Sequence, residues 1–173
     1  MSATGLPPHF IRKVPEGDTH EREVCGRCDF VHYRNPKIVT GSVVRHEGKY
    51  LLCRRAIEPS RGLWTLPAGY MELNETAEDA ARREAREEAC AEIVIERLLA
   101  VYSIARIGQV QLMYLAHLAR PDIAAGPESL EVGLFEWDGI PWQDIAFPSV
   151  HWALQQARSV ENGVSDFAPF SNP

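Results

Sequence analysis

Residues 69–91 read Gly69-Tyr-Met-Glu-Leu-Asn-Glu75-Thr-Ala-Glu-Asp-Ala-Ala-Arg-Arg83-Glu84-Ala-Arg-Glu87-Glu88-Ala-Cys90-Ala91, and the order of residue types in this stretch decides the fold. Thr76 followed by Asp79 forms a capping box, with Asp in the usual place of Glu or Gln. Ala77, Ala80, Ala81, Ala85 and Ala89 then recur near helical spacing, uninterrupted by Gly or Pro. The pattern predicts a helix from Thr76 to Cys90. Residues three and four apart are neighbours on a helix, so Glu84, Glu87 and Glu88 share one face, covering about 100° at roughly 3.6 residues per turn. Like charges repel unless something compensates them. A hard divalent cation with oxygen ligands, Mg²⁺ or Mn²⁺, is the natural candidate. On helix pattern alone, a solvated face with Arg82, Arg83 and Arg86 alongside is the commoner outcome for such a run.

The offsets change that weighting. Read as Gly-x5-Glu-x7-Arg-Glu-apolar-x-Glu-Glu-x-Gly-apolar, the segment resembles the Nudix box of the Nudix hydrolases. Gly69, Glu75, Arg83, Glu84, Glu87 and Glu88 all match, Ala85 takes the apolar position and Ala91 the last one. Cys90 stands where the pattern has Gly, which puts the helix C-cap geometry in question but no carboxylate. The runs His32-Tyr-Arg-Asn35-Pro36-Lys37, Leu51-Leu-Cys-Arg-Arg55, Gly62-Leu-Trp64-Thr-Leu-Pro67-Ala-Gly69, Gly126-Pro-Glu-Ser-Leu-Glu131 and Ile140-Pro-Trp with Ala146-Phe147 extend the resemblance over residues 14–150. They resemble a subgroup that acts on ADP-ribose and FAD. Its NADH-cleaving branch fits less well. The Ser-Gln-Pro-Trp-Pro run of that branch is absent, and Val101-Tyr-Ser-Ile-Ala-Arg-Ile follows the box instead.

Composition is that of a compact enzyme. The 173 residues are long enough for one domain with a real core, and the net charge of −6 argues against nucleic-acid and anionic-membrane partners. No apolar run approaches a membrane span, and the first residues lack the basic and apolar regions of a signal peptide. Four cysteines in a chain of this size are not a disulfide scaffold, so a reducing cytoplasm is the expected location.

Alternation and turn residues predict strands at 38–45, 49–55, 64–66, 93–104, 110–118 and 130–137, and a second helix at 149–159. The expected organisation is a tail and ribbon-like segment over 1–34, with residues 1–20 loose. A catalytic domain follows over 35–160, then a C-terminal tail over 161–173. Strands mixed with two helices predict an α/β fold with a sheet between helices. The resemblance implies the Nudix α/β/α sandwich with a mixed sheet, and a homodimer.

Cys25-Gly-Arg-Cys28 is half of a four-Cys zinc site. The resembling subgroup carries a second pair upstream, and Met1 to Phe10 contains no Cys. The expectation is a ribbon that keeps its shape without zinc, with His20, His32 or a second chain as the alternative source of ligands. A redox Cys-x-x-Cys lacks the βαβ context it would need. Cys53 reads as core.

For a substrate pocket the candidates are Arg54 and Arg55, which alternate in direction at a strand end, so that one faces the site. Surface ion pairing is the competing reading for both. Trp64 is either a stacking platform or core, and core is favoured. The resemblance adds Tyr102, Arg106 and Gln109 as pocket-shaping residues. Glu128 and Glu131 on or beside a long loop are candidates for general base or extra metal ligand, against a solvated loop Glu. Gly69 permits a close approach, Glu75 supports the loop–helix junction or an outer metal, and Arg83 orients the glutamates.

The resemblance thus implies Mg²⁺- or Mn²⁺-dependent hydrolysis of a nucleoside diphosphate joined to another group, giving a nucleoside monophosphate and a phosphorylated product. Glu84, Glu87 and Glu88 would hold the metal, and Glu88 or Glu84 would be candidates for the general base beside it, with Glu128 and Glu131 as alternatives. The alternatives are a non-catalytic Nudix-fold nucleotide sensor, which would be expected to have lost box carboxylates, and a zinc-binding interaction module, against which the single Cys pair argues.

Overall fold

The structure, a computed structural model, describes residues 9–163 and 169–172, which fall into two units divided after Asn35. In the first unit β1 (Phe10–Lys13) pairs antiparallel with β2 (Arg22–Cys25), and β2 with β3 (Val31–His32). Part of the segment expected to be a loose tail is therefore a strand; residues 1–8 lie outside the described residues. Asp18 organises the connection between β1 and β2. It accepts from the Thr19 and His20 backbone N–H groups and pairs with Arg22 at 2.8 Å.

The second unit contains β4 (Lys37–His46), β5 (Lys49–Arg55), β6 (Trp64–Thr65), β7 (Ala68–Tyr70), α1 (Ala77–Ala89), β8 (Ile93–Ile104), β9 (Gln109–Leu118), β10 (Ser129–Phe135), α2 (Pro148–Glu161) and β11 (Phe170–Ser171). The sheet runs β10-β5-β4-β9-β8-β11, with β4–β9 and β8–β11 parallel and the other pairs antiparallel. Alternation sends Val44, Leu51, Cys53 and Ala116 to one face, against Ala85 and Ala89 of α1. Val43, Leu52, Met113 and Leu115 go to the other, against Val150, Ala153, Leu154 and Ala157 of α2. This is the α/β/α sandwich with a mixed sheet. The segment expected to be a C-terminal tail contributes the edge strand β11, and β7 was not foreseen as a strand.

One departure from simple pairing positions the site. After the hairpin, β4 and β5 pair only through Arg45–Tyr50 and His46–Lys49 and then part. The fork is filled by β6 on β5 and β7 on β4, and β7 leads directly into α1. Ala80, Ala81, Ala85 and Ala89 are fully buried, so small side chains let α1 lie close to the sheet below this fork.

Helix α1 starts as its sequence dictates. The Asp79 N–H donates to Thr76 Oγ1 at 3.1 Å, and the Thr76 hydroxyl donates to Asp79 Oδ2 at 2.7 Å. At the other end Cys90 keeps the left-handed conformation (φ 49°, ψ 26°) that the box normally gives to Gly. Cys90 N–H reaches Arg86 O at 3.0 Å, the single bond of an αL ending, and Ala91 N–H reaches Ala85 O at 3.1 Å. The Gly-to-Cys departure therefore leaves the turn intact and places a Cβ residue in a region that costs roughly 1–2 kcal/mol. Glycine's larger unfolded-state entropy offsets roughly 0.5–1 kcal/mol of the relief. Cys90→Gly is expected to stabilise the protein slightly, raising Tm by about 1–3 °C. A thermal melt showing a fall in Tm would contradict the strained cap.

Candidate active site

The fork between β4 and β5 opens into a cavity of about 960 Å³, at the upper end of the range for small-molecule sites. One wall carries charge: Glu72, Arg83, Glu84, Glu87, Glu88 and Glu128. A second wall, on the α2 side of the sheet, is largely apolar, with Ile104, Met113, Phe147, Val150 and Trp152.

Arg83 is the hub of the charged wall. Its Nη1 donates to Glu84 Oε1 at 2.7 Å and to Glu87 Oε2 at 3.0 Å. Its Nε and Nη2 grip Glu75 in a bidentate pair at 3.1 and 2.9 Å, and Nη2 also reaches Tyr70 O at 3.0 Å. Glu75 Oε1 in turn accepts from the Glu72 backbone N–H at 2.6 Å. Glu75 does not line the cavity. It fixes Arg83, and through Arg83 the carboxylates that do. Gly69 is where β7 passes the Glu84 carboxylate, and a Cβ there would collide with both of its oxygens.

Glu84 and Glu88 are almost completely buried, and Glu88 accepts from the Ala68 N–H at 3.3 Å. Burial raises the Glu84 carboxyl above its ordinary range, Arg83 opposes the shift, and the charges of Glu87 and Glu128 reinforce it. Burial, then the neighbouring Glu84 charge, pushes Glu88 up to about 8, and the Ala68 N–H and Arg55 only partly oppose this. This is an oxygen-only set with more negative charge than its cations balance, chemistry that suits a hard divalent ion. Among the described residues, no three His, Cys, Asp or Glu side chains converge tightly enough to hold a metal as they stand, and Arg83 is the cation that Glu84 and Glu87 face.

Glu128 reaches the cavity because the loop after β9 docks on the end of α1. Gly126 N–H donates to Glu88 O at 3.0 Å and Ala124 N–H to Ala89 O at 2.9 Å, satisfying carbonyls that the last helical turn leaves unpaired. The Glu128 carbonyl accepts from Ala56 N–H at 2.8 Å. The approach is so close that a Cβ on Gly126 would strike the Glu87 carbonyl oxygen.

The other candidates divide. Arg55 lines the cavity, with Nε on Pro59 O at 2.8 Å and its guanidinium 5.2 Å from the Phe147 ring centroid. Arg54 points to the opposite face, where it bonds Gly62 O at 2.8 Å and pairs loosely with Glu131 at 3.6 Å. Neither Arg54 nor Glu131 lines the cavity. Trp64 is buried in the core, edge-on to Phe135, and is not part of the cavity wall. Tyr102 is likewise buried, with its hydroxyl on Gln156 and its ring edge-on to Trp152. Arg106 and Gln109 do line the cavity. Tyr70, Gln111, Met113, Phe147 and Trp152 were missed. Strand alternation carried the signal for two of them, since Gln109, Gln111 and Met113 are every second residue of β9.

Residues 35–147 match the family model of the NUDIX domain, and residues 9–34 match that of the Nudix N-terminal zinc ribbon. The chain is 26% identical over 132 residues to an ADP-ribose pyrophosphatase of Methanocaldococcus jannaschii, covering 72% of this chain and 78% of the relative. A NUDIX hydrolase structure from Nitrosomonas europaea superposes with a TM-score of 0.90 at 44% identity, over 98% of this chain and 97% of that one. The NUDIX domain of Shewanella oneidensis NrtR, solved with ADP ribose, shares the fold at 22% identity, with a TM-score of 0.61 over 73% of this chain and 89% of that one. With the carboxylate box in place on α1 and a NUDIX match over most of its length, the chain belongs to the Nudix hydrolases.

Proposed function

We infer that this enzyme hydrolyses the diphosphate bond of a nucleoside diphosphate joined to a second group, of the ADP-ribose or FAD kind, with Mg²⁺ or Mn²⁺. The observation that carries the reading is the buried pair Glu84 and Glu88, facing a large cavity whose second wall is apolar. Like charges are buried together only where a positive partner repays them. Glu84, Glu87 and Glu88 would hold the divalent ion. Bound there, the ion would supply positive charge against the diphosphate and lower the pKa of a bound water.

The chain's own residues supply the rest. Arg83, clamped by Glu75 and the Tyr70 carbonyl, sets the orientation of Glu84 and Glu87. Arg55, on the cavity wall beside Phe147, supplies positive charge near the diphosphate. Arg106 lines the cavity, as Gln109 does, and offers a contact to the group beyond the diphosphate. Two carboxylates are the candidates to accept the proton from water: Glu88, held by the Ala68 N–H, and Glu128, carried by the docked loop. The apolar wall takes the planar ring of the substrate.

A panel of ADP-ribose, FAD, NADH and nucleoside triphosphates with Mg²⁺ or Mn²⁺ tests the assignment. Cleavage of the first two is expected; nucleotide binding without cleavage of any compound would favour a sensor. Glu88→Gln is expected to lower kcat by about 10²–10⁴-fold with the fold retained, and undiminished turnover would remove Glu88 from the machinery.

The metal-free protein should also show the cost of the buried carboxylate. With its folded pKa near 8 against an ordinary 4.5, the Glu88 carboxyl binds a proton more tightly in the folded state. Stability is therefore full below the ordinary value and is lost as pH rises from about 5 to about 8. In chelator, thermal melts of the wild type should fall across that window more steeply than those of Glu88→Gln. Mg²⁺ at pH 8 should raise Tm more for the wild type, and equal slopes would contradict the coupling.

Gly126→Ala should displace the loop that carries Glu128. Overpacking against backbone costs about 1–3 kcal/mol, and kcat should fall with it. A variant with wild-type melting and turnover would show that the loop does not need this approach.

A further inference from the structure

The carboxylates and the apolar wall leave one part of the cavity unexplained, a row of polar side chains on β9. Gln109 and Gln111 both line the cavity, on the same face of the strand as Met113. Gln111 Nε2 donates to Gln109 Oε1 at 3.2 Å, and Gln109 Nε2 donates to the Tyr70 hydroxyl at 3.1 Å. The Tyr70 ring is itself covered by Lys37 Nζ, 4.8 Å from its centroid. The relay runs from the strand beside Glu84 to the apolar wall, and it sets which end of each amide faces which neighbour. At Gln111 it leaves the carbonyl oxygen and one N–H without a protein partner among the described residues.

Position in the sheet says what those two groups meet. Val39 on β4 pairs with Tyr70 on one side and with Gln111 on the other. Gln111 therefore lies two strand spacings, about 10 Å along the sheet, from Tyr70, the residue after the Gly69 that abuts the Glu84 carboxylate. A substrate with its diphosphate at the carboxylates and one ribose beyond it brings its base to this point, with the ring face on Met113, Ile104 and Trp152. A base buried on an apolar wall needs its polar edge satisfied, because an unpaired donor or acceptor there loses its hydration for nothing. A Gln side chain presenting a carbonyl beside an N–H matches the adjacent amine and ring nitrogen of adenine.

We propose that Gln111 is the specificity-determining residue of this site, reading the amine-bearing edge of an adenine ring, with Gln109 and Tyr70 fixing the orientation of its amide. The proposal rests on the diphosphate-hydrolase reading for where the phosphates lie. Hypoxanthine carries a carbonyl in place of the amine and sets oxygen against oxygen at Gln111.

Two measurements separate the base reader from the hydrolase. Calorimetric titration with AMP and with IMP reads the base alone, and hydrolysis of ADP-ribose and its inosine counterpart reads the reaction. The wild type is expected to prefer the adenine compound about tenfold in both. Gln111→Leu should abolish the preference, raising KM for ADP-ribose while leaving kcat within about twofold. Tyr70→Phe keeps the ring on Lys37 but cuts the relay, and should weaken the preference with little change in Tm. Equal wild-type binding of AMP and IMP, or a preference that survives in Gln111→Leu, overturns the proposal even if hydrolysis is brisk. An AMP preference that depends on Gln111 in a protein that cleaves no diphosphate sustains it and sinks the hydrolase reading instead.

Discussion

Two carboxylates buried on one helix constrain nearly everything around them. Glu84 and Glu88 lie one turn apart on α1 with little solvent to stabilise their charge, and burial raises both. A helix carrying them cannot pack on the sheet unless cations and N–H groups are aimed at them. Arg83 answers for Glu84, and it is held by a bidentate pair with Glu75 outside the cavity rather than by the cavity itself. The Ala68 N–H answers for Glu88. Gly69 follows from the same constraint, since the chain must pass against the Glu84 carboxylate with no side chain in the way. The spacing of Gly69, Glu75, Arg83, Glu84 and Glu88 is thus one electrostatic arrangement written along the chain.

The sheet supplies the space. Because β4 and β5 pair over only two residue pairs before parting, the chain can bring β6, β7 and α1 to the fork. The cavity then draws on both sides of the sandwich, with acidic groups from α1 and apolar ones from α2 and the strands facing it. The loop after β9 closes the charged side by donating to the carbonyls at the end of α1, so the helix terminus that needs partners and the loop that carries Glu128 satisfy each other.

The helical half of this site was legible in the sequence because helix spacing converts offsets into neighbours directly. Thr76, the alanine face and the glutamates needed no tertiary information. Strand residues were legible only to a sign. Alternation said that Arg54 and Arg55 point apart, but which faces the cavity depends on where α1 packs, and Arg55 follows Leu51 and Cys53 onto that face. Trp64 was ambiguous for the same reason, and its edge-on contact with Phe135 puts it in the core. Alternation puts Gln109 and Gln111 on one strand face but does not say what that face meets. Their meaning comes from register with Tyr70 across β4, a long-range pairing that no local window contains.

The N-terminal unit is held by its own backbone pairing and polar contacts. Cys25 and Cys28 are present, but among the described residues no third His, Cys, Asp or Glu joins them in a metal-holding group. The three strands nonetheless keep their register, and polar contacts span the unit. Lys13 pairs with Asp29 at 2.9 Å, Arg34 with Glu23 at 2.9 Å, and Arg22 lies 5.3 Å from the Tyr33 ring centroid while bonded to Asp18. The Arg22 guanidinium and the His20 and Thr19 N–H groups hold the Asp18 carboxyl down to about 2. Exposed ion pairs each contribute little, about 0–1 kcal/mol at the surface. They act here beside backbone pairing over β1, β2 and β3 and a buried Val24, a local structure in which a four-ligand metal site is not the sole restraint on the chain.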